Sequence, residues 1–408
     1  MRKLVYILSL LAVLLPVTLR AEQARQQDGQ QDGQQDGQQD SVCVSLLTVT
    51  PGKMVYELYG HTAIRVREVM PGRLSDWVFN YGTFSFAQPH FVWRFVKGET
   101  DYELGVVPYA LFYDTYVKEG RGIDELPLNL SPAESRRLVD ALSRNLLPEN
   151  ATYRYNFFYD NCTTRAIDMI ANAIEGKIVW PKAEADMTLR NIVDQYSEVS
   201  PWNKLGQDLL LGAEADAPAD REAQSFAPLY AERFVEGAVI VRPDGSEDRL
   251  ALPKRVLLPA QMESTEKGLT PMWAFVILFA ITIALTVYEH RKGRYYWAFD
   301  ALLLLAQGLA GLGVAFLFCF STHPTVGSNW LVVLFNPLPL LYLPWYMKQA
   351  SLRRPVRGLY VQALMLAATG IVGAFGLQQF PPELFLIWGT LAVRCIHGLN
   401  RSHKVKSS

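Results

Sequence analysis

The stretch YNFFYDNCTTRAIDMI, residues 155–170, changes halfway along from an aromatic run typical of a strand to apolar residues at helical spacing. Asn161 and Cys162 stand at the change, and we expect a helix to begin there and to continue through Ile167 to Gly176. Unpaired backbone N–H groups and the helix dipole at such a start favour a thiolate over a thiol, and they could stabilise an oxyanion. The stretch therefore predicts a junction between strand and helix that carries a reactive cysteine.

Three segments upstream of this junction alternate apolar and polar residues, which is typical of strands. They span residues 42–50, 61–69 and 77–81, with Pro-Gly turns at 51–52 and 71–72. Ser131, Pro132 and Glu134 form the pattern of a helix N-terminus, and residues 237–250 have the pattern of a hairpin around a Pro-Asp-Gly turn. Strands followed by helices predict one α+β domain over residues 41–260.

A base for Cys162 is expected on the strands. His61, in LYGHTAIRV, follows a glycine at the start of an alternating segment. Asn80, in DWVFNYG, lies on the next strand, where its side-chain oxygen could accept a hydrogen bond from the imidazole and fix its tautomer. His90 is the alternative base, although its position after a proline and among aromatic residues favours loop packing. These residues predict a Cys/His/polar arrangement for nucleophilic catalysis.

The four cysteines allow a different interpretation. Cys319 and Cys395 fall inside apolar stretches, so only Cys43 and Cys162 remain in the 41–260 domain. If these two formed a structural disulfide, Cys162 could not be a nucleophile, and the domain would suit a non-enzymatic receptor or assembly factor.

The first 40 residues carry export and spacer signals. Arg2 and Lys3 precede an apolar run at 4–15, and the small residues that follow offer a cleavage site, which together predict a signal peptide over 1–21. The spacer at 22–40 is dominated by Gln-Gln-Asp-Gly repeats with nothing apolar to bury, and we expect it to be disordered. The mature amino end is therefore expected outside the cytoplasm.

Five apolar stretches of membrane-spanning length follow the first domain. They cover residues 271–288, 299–320, 329–347, 359–376 and 384–400, and they predict an all-α transmembrane domain. Lysines and arginines concentrate after the first, third and fifth stretches, whereas loops 321–328 and 377–383 contain none. By the positive-inside rule, the basic loops and the tail 401–408 are cytoplasmic, and the 41–260 domain lies on the periplasmic side of a bacterial inner membrane.

Charge also separates the two parts of the chain. Residues 41–266 contain 32 acidic and 23 basic side chains, a net charge of −9, whereas residues 271–408 contain 3 acidic and 11 basic ones, a net charge of +8. An acidic first domain, and basic clusters that membrane topology explains, give no reason to expect nucleic acid as a partner.

The order of these residues resembles that of known acyltransferases. A histidine at a strand start, a polar residue on the neighbouring strand and a later Asn-Cys pair at a helix start are similar to the circularly permuted, NlpC-type papain-like fold of lecithin:retinol acyltransferase and its kin. The Lnb-type lipoprotein N-acyltransferases of Bacteroidota are more similar still, over nearly all of residues 41–400. The stretches that carry this likeness are SLLTVTPG, YGHTAIRV, VFNYGTFSF, RFVKGETDYELG, GRGIDELPLNLS, YRYNFFYDNCTTRAID and HPTVGSNWLVVLFNPLPL.

The resemblance implies acyl transfer through Cys162. His61 would deprotonate the thiol, the thiolate would attack a phospholipid ester, and the chain would be held as a thioester before it passes to the α-amino group of a diacylglyceryl-cysteine lipoprotein. The implied partners are the phospholipid donor and the diacylated lipoprotein acceptor. Neither a metal nor a nucleotide cofactor is needed, and no spacing of histidines or carboxylates is typical of a metal site.

Several further residues are candidates for substrate contact. Arg94, Lys97 and Tyr102 lie among aromatic residues and could hold a lipid headgroup, although basic residues beside a membrane are more often solvated. His323 follows the second apolar stretch, and Asn336 interrupts the third next to a proline, where freed backbone groups would suit a substrate groove. The complete set of expected contacts is Asn161, Tyr81, Arg94, Tyr102, Arg165, His323 and Asn336.

Two related enzymes fit the same residues. A membrane-tethered phospholipase A would pass the chain from Cys162 to water, and a cysteine peptidase of the same fold would cleave a peptide. Five spans exceed what tethering a peptidase requires.

Overall fold

The computed structural model describes residues 41–70, 73–84, 89–261 and 268–407. The expected signal peptide at 1–21, the spacer at 22–40 and the turn at 71–72 lie outside the described residues. Residues 41–261 are built on a β-sheet and are called the sheet domain below. Residues 268–407 are helical and are called the helical domain.

Ten strands build the described part of the sheet domain. In chain order they are β1 (Ser41–Val49), β2 (His61–Met70), β3 (Arg73–Thr83), β4 (Asp101–Pro108), β5 (Ile123–Pro127), β6 (Thr152–Arg154), β7 (Lys177–Val179), β8 (Val239–Val241), β9 (Glu247–Arg249) and β10 (Arg255–Leu258). Seven form an antiparallel sheet in the order β10-β5-β1-β2-β3-β4-β6. The other three form a small sheet that contains the predicted hairpin as β8 and β9.

Nine α-helices flank these strands and five follow in the helical domain, among the described residues. The first nine are α1 (Phe91–Lys97), α2 (Tyr109–Glu119), α3 (Pro132–Asn145), α4 (Pro148–Ala151), α5 (Cys162–Ala173), α6 (Leu189–Ser197), α7 (Pro201–Leu210), α8 (Arg221–Gln224) and α9 (Pro228–Gly237). The last five are α10 (Pro271–Lys292), α11 (Trp297–Phe320), α12 (Leu338–Ser351), α13 (Gly358–Ala374) and α14 (Pro382–Ser407). Short 3₁₀ turns lie at Val55–Glu57, Ala213–Asp216, Val326–Ser328 and Trp330–Val333.

Helix α5 packs with its apolar face on β2 and β3 of the large sheet. Its Ile170 is fully buried in one core cluster with Leu46 of β1, Ile64 of β2 and Leu138 of α3. Burying an aliphatic side chain of this size contributes about 1.5–3 kcal/mol relative to leaving it exposed. This packing fixes the first residue of α5, Cys162, above the sheet.

The helix N-terminus predicted at Ser131 is observed. Ser131 Oγ accepts a hydrogen bond from the N–H of Glu134 at 3.3 Å, and Glu134 Oε2 accepts one from the N–H of Ser131 at 2.7 Å. This reciprocal capping box satisfies two backbone donors at once. Helix α3 then ends at Asn145, with Leu146 as its C-cap.

Three helical segments of the described helical domain are long and apolar enough to cross a membrane, and they span Pro271–Lys292, Trp297–Phe320 and Trp330–Ser351. The third is interrupted where the sequence predicts a break, because α12 begins only after Pro337. Helix α13 is apolar but shorter, and α14 coincides with the fifth expected stretch.

A buried network of charges, called the Arg394 network below, joins α10, α11 and α14. Arg394 is almost fully buried and donates to Glu289 and to Asp300, both at 2.5 Å. Asp300 also accepts hydrogen bonds from the hydroxyls of Tyr295 and Tyr346, at 2.7 and 3.1 Å. Both carboxylates are thus paired with the guanidinium, which offsets the cost of removing these charges from water.

The sheet domain is hydrogen-bonded to the helical domain at several places, including Trp202 with Leu269 and Gln378 with Leu211, and two of these places lie in the segment after α11. At the first, the hydroxyl of Thr322, just after α11, donates to the carbonyls of Lys97 and Gly98 at 3.0 and 3.1 Å. These carbonyls end α1 and would otherwise lack donors. At the second, Asn329 Nδ2 donates to the carbonyl of Leu209 in α7 at 2.9 Å.

Candidate active site

Cys162 is the first residue of α5, and Asn161 caps that helix. Asn161 Oδ1 accepts from the N–H groups of Thr163 and Thr164 at 2.8 and 3.0 Å, and its carbonyl accepts from the N–H of Arg165 at 3.2 Å. In the first turn of α5, the N–H of Cys162 has no hydrogen-bond acceptor among the described residues. Asn161 is buried, and its side-chain and carbonyl oxygens are occupied by these hydrogen bonds, which hold the start of the helix and so position Cys162.

The His61 imidazole lies between Cys162 and Asn80. Its Nε2 is 3.1 Å from Asn80 Oδ1, while Asn80 Nδ2 donates to the carbonyl of Val78 at 3.2 Å. Because the amide turns its NH₂ group toward that carbonyl, Asn80 Oδ1 accepts from the Nε2–H of His61. The other ring nitrogen, Nδ1, is then free of a proton and is able to accept one from the thiol. The structure thus brings together the three residues expected from the sequence.

The cysteine and the histidine shift each other's pKa in opposite directions. Burial alone would raise the pKa of the Cys162 thiol, but the charge and hydrogen bond of His61, with the Thr62 N–H and the Thr163 hydroxyl, lower that pKa below its ordinary value. Burial alone would lower the pKa of His61, but Cys162 and Asn80 raise it. These shifts favour a thiolate–imidazolium pair.

Two neighbours of Cys162 were missed by the sequence reasoning, Gly82 and Tyr153. A Cβ added to Gly82 would lie 3.4 Å from Cys162 Cβ and 3.9 Å from the Tyr153 hydroxyl. Tyr153 is 6% exposed, and its hydroxyl has no hydrogen-bond partner in the part of the chain that the structure describes. Burial and the charge of Cys162 raise the pKa of Tyr153, so the hydroxyl keeps its proton. An unpaired buried donor costs stability, and this one flanks Gly82 together with the Cys162 side chain.

Tyr102 also stands beside the thiol. Burial and the charge of Cys162 raise the pKa of Tyr102 to about 12. Its ring stacks on that of Tyr155 with centroids 4.2 Å apart. Of the residues expected to contact substrate, Tyr102 is thus placed near the reacting sulfur.

Tyr81 and Arg165 make their contacts within the protein. Tyr81 is fully buried, and its hydroxyl accepts from Asn145 Nδ2 at 2.7 Å. Arg165 donates to both carboxylate oxygens of Asp160, at 2.5 and 2.8 Å, and its guanidinium lies 3.7 Å from the centre of the Tyr153 ring. Arg165 therefore holds the ring whose hydroxyl reaches the site.

The two cations of α1 are paired. Arg94 forms an ion pair with Asp101 at 2.5 Å, and Lys97 forms one with Glu99 at 2.5 Å. Their charges are therefore balanced locally by carboxylates of the protein.

His323 joins the two domains. Its Nε2 lies 2.6 Å from the carbonyl of Phe95, and burial, which outweighs that hydrogen bond, lowers the pKa of His323. The neutral ring therefore donates to the end of α1. Gly98, with a φ of +74°, follows that helix, and a Cβ there would lie 2.7 Å from Thr322 Oγ1. Only glycine fits this turn and this close approach.

Asn336 lies at the break in the third apolar segment and hydrogen-bonds the backbone on both sides of it. Its Nδ2 donates to the carbonyl of Val333 at 2.8 Å, and its Oδ1 accepts from the N–H of Leu338 at 3.0 Å. A Cβ at Gly311 of α11 would collide with the Asn336 backbone, so the break packs directly on that helix. The freed backbone groups are satisfied by the amide itself.

The alternatives based on His90 and on a disulfide find no support in the geometry. His90 is exposed and begins α1 in the left-handed conformation, with a φ of 54°. Cys43 and Cys162 are both free, as are Cys319 and Cys395. The disulfide that a receptor function would need is not formed.

Two family models match the chain. Residues 30–195 match the family model described as the Lnb N-terminal periplasmic domain, and residues 263–405 match that of the Lnb transmembrane domain. No curated protein and no solved structure shows a significant similarity to the chain. The first match contains Cys162, and the second contains all three long apolar segments. The chain therefore belongs to the Lnb family, as a membrane protein with a periplasmic domain followed by a transmembrane domain.

Proposed function

We propose that the protein is a lipoprotein N-acyltransferase, which moves an acyl chain from a membrane phospholipid to the α-amino group of a diacylglyceryl-cysteine lipoprotein. The observation that carries this proposal is the arrangement of Cys162, His61 and Asn80 in a periplasmic domain that is hydrogen-bonded to apolar helices. Both substrates have their reactive groups at the bilayer surface and their tails in hydrocarbon. A thiol enzyme mounted on membrane helices suits such a pair of substrates.

The first half-reaction loads Cys162. His61 Nδ1 takes the thiol proton, and the thiolate attacks the ester carbonyl carbon of the phospholipid. The C–O bond then breaks as the imidazolium returns the proton to the departing lyso-phospholipid oxygen. The N–H of Cys162 and the hydroxyl of Tyr153 are unpaired donors beside the sulfur, and we assign to them the stabilisation of the oxyanion.

The second half-reaction unloads the chain. The neutral α-amino group, whose ordinary pKa is about 8, attacks the thioester carbonyl. The C–S bond breaks, and His61 transfers the amine proton to the sulfur. The products are an amide-linked third chain and a regenerated Cys162 thiol.

The proposal includes the architecture that such a reaction needs. The strands that carry His61 and Asn80 and the helix that begins at Cys162 support a permuted papain-like fold. Helices α13 and α14, with the three long apolar segments, support five spans. The basic loops support a cytoplasmic C-terminus in a bacterial inner membrane.

The test follows the acyl group by mass. Full-length protein in phospholipid bilayers should become heavier by one fatty acyl chain on Cys162, through a hydroxylamine-sensitive bond, with release of lyso-phospholipid. A diacylated lipopeptide with a free α-amino group should then remove the chain to its nitrogen. An acetylated lipopeptide should leave the thioester in place.

Two variants and two outcomes distinguish a transferase that uses Cys162 from the alternatives. Cys162→Ala should abolish loading, whereas Cys43→Ala, at the other cysteine of the periplasmic domain, should leave it unchanged. Release of free fatty acid at equal rates with and without lipopeptide would establish a phospholipase. Failure to find a chain on Cys162 under any of these conditions would refute the proposal.

A further inference from the structure

A column of aromatic rings leads from the helical domain to Cys162. Neighbouring rings have centroid distances of 5.6, 6.2, 5.5, 5.0 and 4.2 Å in the order His323, Phe95, Phe91, Phe84, Tyr102 and Tyr155. We call the five residues after His323 the aromatic column. Its inner members Phe84, Tyr102 and Tyr155 share one core cluster with Cys162.

The outer end of the column lies against a helix of membrane-spanning length. The Trp93 ring of α1 is 5.0 Å from the ring of Phe316, which lies one turn before the end of α11. The loop after α11 also caps the end of α1 through Thr322 and His323. Helix α1 is therefore held at the level where α11 ends.

Exposed apolar side chains surround this end of the column. We call them the apolar rim; they are 43% to 71% exposed and comprise Met54, Val55, Tyr56, Val92, Trp93 and Phe95. The Tyr56 ring lies 6.1 Å from that of Phe84. The rim therefore meets the column from two short elements, the 3₁₀ turn at Val55–Glu57 and helix α1. Exposed apolar side chains gathered in this way mark a contact surface, and aromatic side chains among them suit the boundary between lipid and water.

We propose that the apolar rim dips into the outer leaflet and that the aromatic column holds the acyl chain of the phospholipid whose ester faces Cys162. This inference rests on the proposed function and names its donor site. The cations of α1 are already paired, so the rim offers carbon surface instead of a headgroup site. The continuity of the rim with α11 identifies the occupant as a bilayer lipid.

The site predicts how donors are ranked. Among soluble esters, whose acyl chains leave water, each methylene group that the column buries should raise the efficiency of loading by about three- to fourfold, until the column is filled. Loading should depend much less on the headgroup, since no unpaired cation of α1 faces it.

The experiment compares two donors on the full-length protein. Vesicles of phosphatidylethanolamine need the rim and the column, whereas p-nitrophenyl butyrate is soluble and short and needs only the thiol. Val92→Asp should lower loading from vesicles at least about tenfold and leave the reaction with the butyrate ester unchanged. Val92 is 71% exposed, so its replacement leaves the core intact.

The matched control is Val256→Asp. Val256 is 63% exposed on β10, at the opposite edge of the large sheet, and the same charge there should change neither reaction. Equal losses with both donors in Val92→Asp, or no loss from vesicles, would overturn the donor site. A wild-type protein that takes no acyl chain from either donor would instead overturn the proposed function.

Discussion

In the helical domain, the Arg394 network leaves neither of its carboxylates unpaired: Glu289 and Asp300 both receive the guanidinium of Arg394. Around Cys162 in the sheet domain, by contrast, an N–H and the Tyr153 hydroxyl lack partners within the described chain. Both regions are buried polar networks that hold together segments far apart in the sequence. They differ in whether the protein itself supplies all of the hydrogen-bond partners.

The difference teaches how to tell a structural network from a reactive one. A network in which every group is hydrogen-bonded needs no substrate to complete it. A substitution in such a network therefore changes the free energy of unfolding. An incomplete network is costly in the free protein, and the cost is recovered when a reacting group supplies the missing acceptor. Substitutions in the two networks should therefore separate into effects on unfolding and effects on rate.

The largest effect is expected from Arg394→Ala. It leaves two buried carboxylates without their cation and should reduce the free energy of unfolding by about 3–5 kcal/mol. Cys395, the next residue on α14, is buried, so its alkylation in detergent should report the loosening with an increase of about 100-fold or more. Arg401→Ala, which removes a guanidinium stacked on Tyr295 at 4.6 Å, is the control and should change little. A folded Arg394→Ala protein whose Cys162 no longer loads would give this network a catalytic role.

A smaller effect, on rate and on pH dependence, is expected from Asn80→Ala. Asn80 helps to raise the pKa of His61, so its loss should lower that pKa, weaken the ion pair and raise the pKa of Cys162. Acyl transfer should fall about 10-fold to 1,000-fold, as when an orienting partner is lost. Alkylation of Cys162 should slow most below neutral pH and recover at high pH, where solvent deprotonates the thiol.

Asn80→Asp is the matching variant that keeps an acceptor oxygen for His61 Nε2. It should restore the low pKa of Cys162. An alkylation profile that is identical in the wild type and in Asn80→Ala would remove Asn80 from the triad.

The smallest effect is expected from Tyr153→Phe, which removes one oxygen atom. Acyl transfer should fall about 10-fold to 100-fold, because the N–H of Cys162 still stabilises the oxyanion. The free energy of unfolding should stay the same or rise, since an unpaired buried hydroxyl is lost. Tyr230→Phe is the control. It should lower the free energy of unfolding and leave acyl transfer unchanged, because the Tyr230 hydroxyl donates to Gln195 at 2.8 Å. A slower and less stable Tyr153→Phe protein would show that the hydroxyl is structural.

Features with local signals could be predicted from the sequence. Strand β1 was expected at 42–50 and is observed at Ser41–Val49, His61 begins β2, and Cys162 begins α5. Alternation and helix caps depend on residues that are neighbours in the chain, so one sequence suffices to detect them. The roles proposed for Cys162 and His61 rest on their places at the ends of these elements and on the family resemblance.

Contacts between distant segments could not be predicted in this way. No local pattern places Gly82 against Cys162, or distinguishes the hydroxyl of Tyr153 from that of any other strand tyrosine in the core. The pairing of Arg94 with Asp101 carried no local signal either, because Asp101 lies on the next strand. The Arg394 network did carry a signal, since Arg394 and Asp300 fall within expected spans, where a charge needs a partner.

The junctions between the two domains have a mechanical consequence. A body attached at a single point can rotate about any axis through it, and each further attachment restricts that rotation. Hydrogen bonds attach the sheet domain at Thr322 and Asn329 and also at Leu269 and Gln378, so while they hold, the depth of the Cys162 sulfur relative to the end of α11 is restricted. Under the proposed function, the substrates would then arrive and leave by lateral diffusion within the leaflet. The turnover rate would scale with their surface density in the membrane and not with their concentration in bulk water.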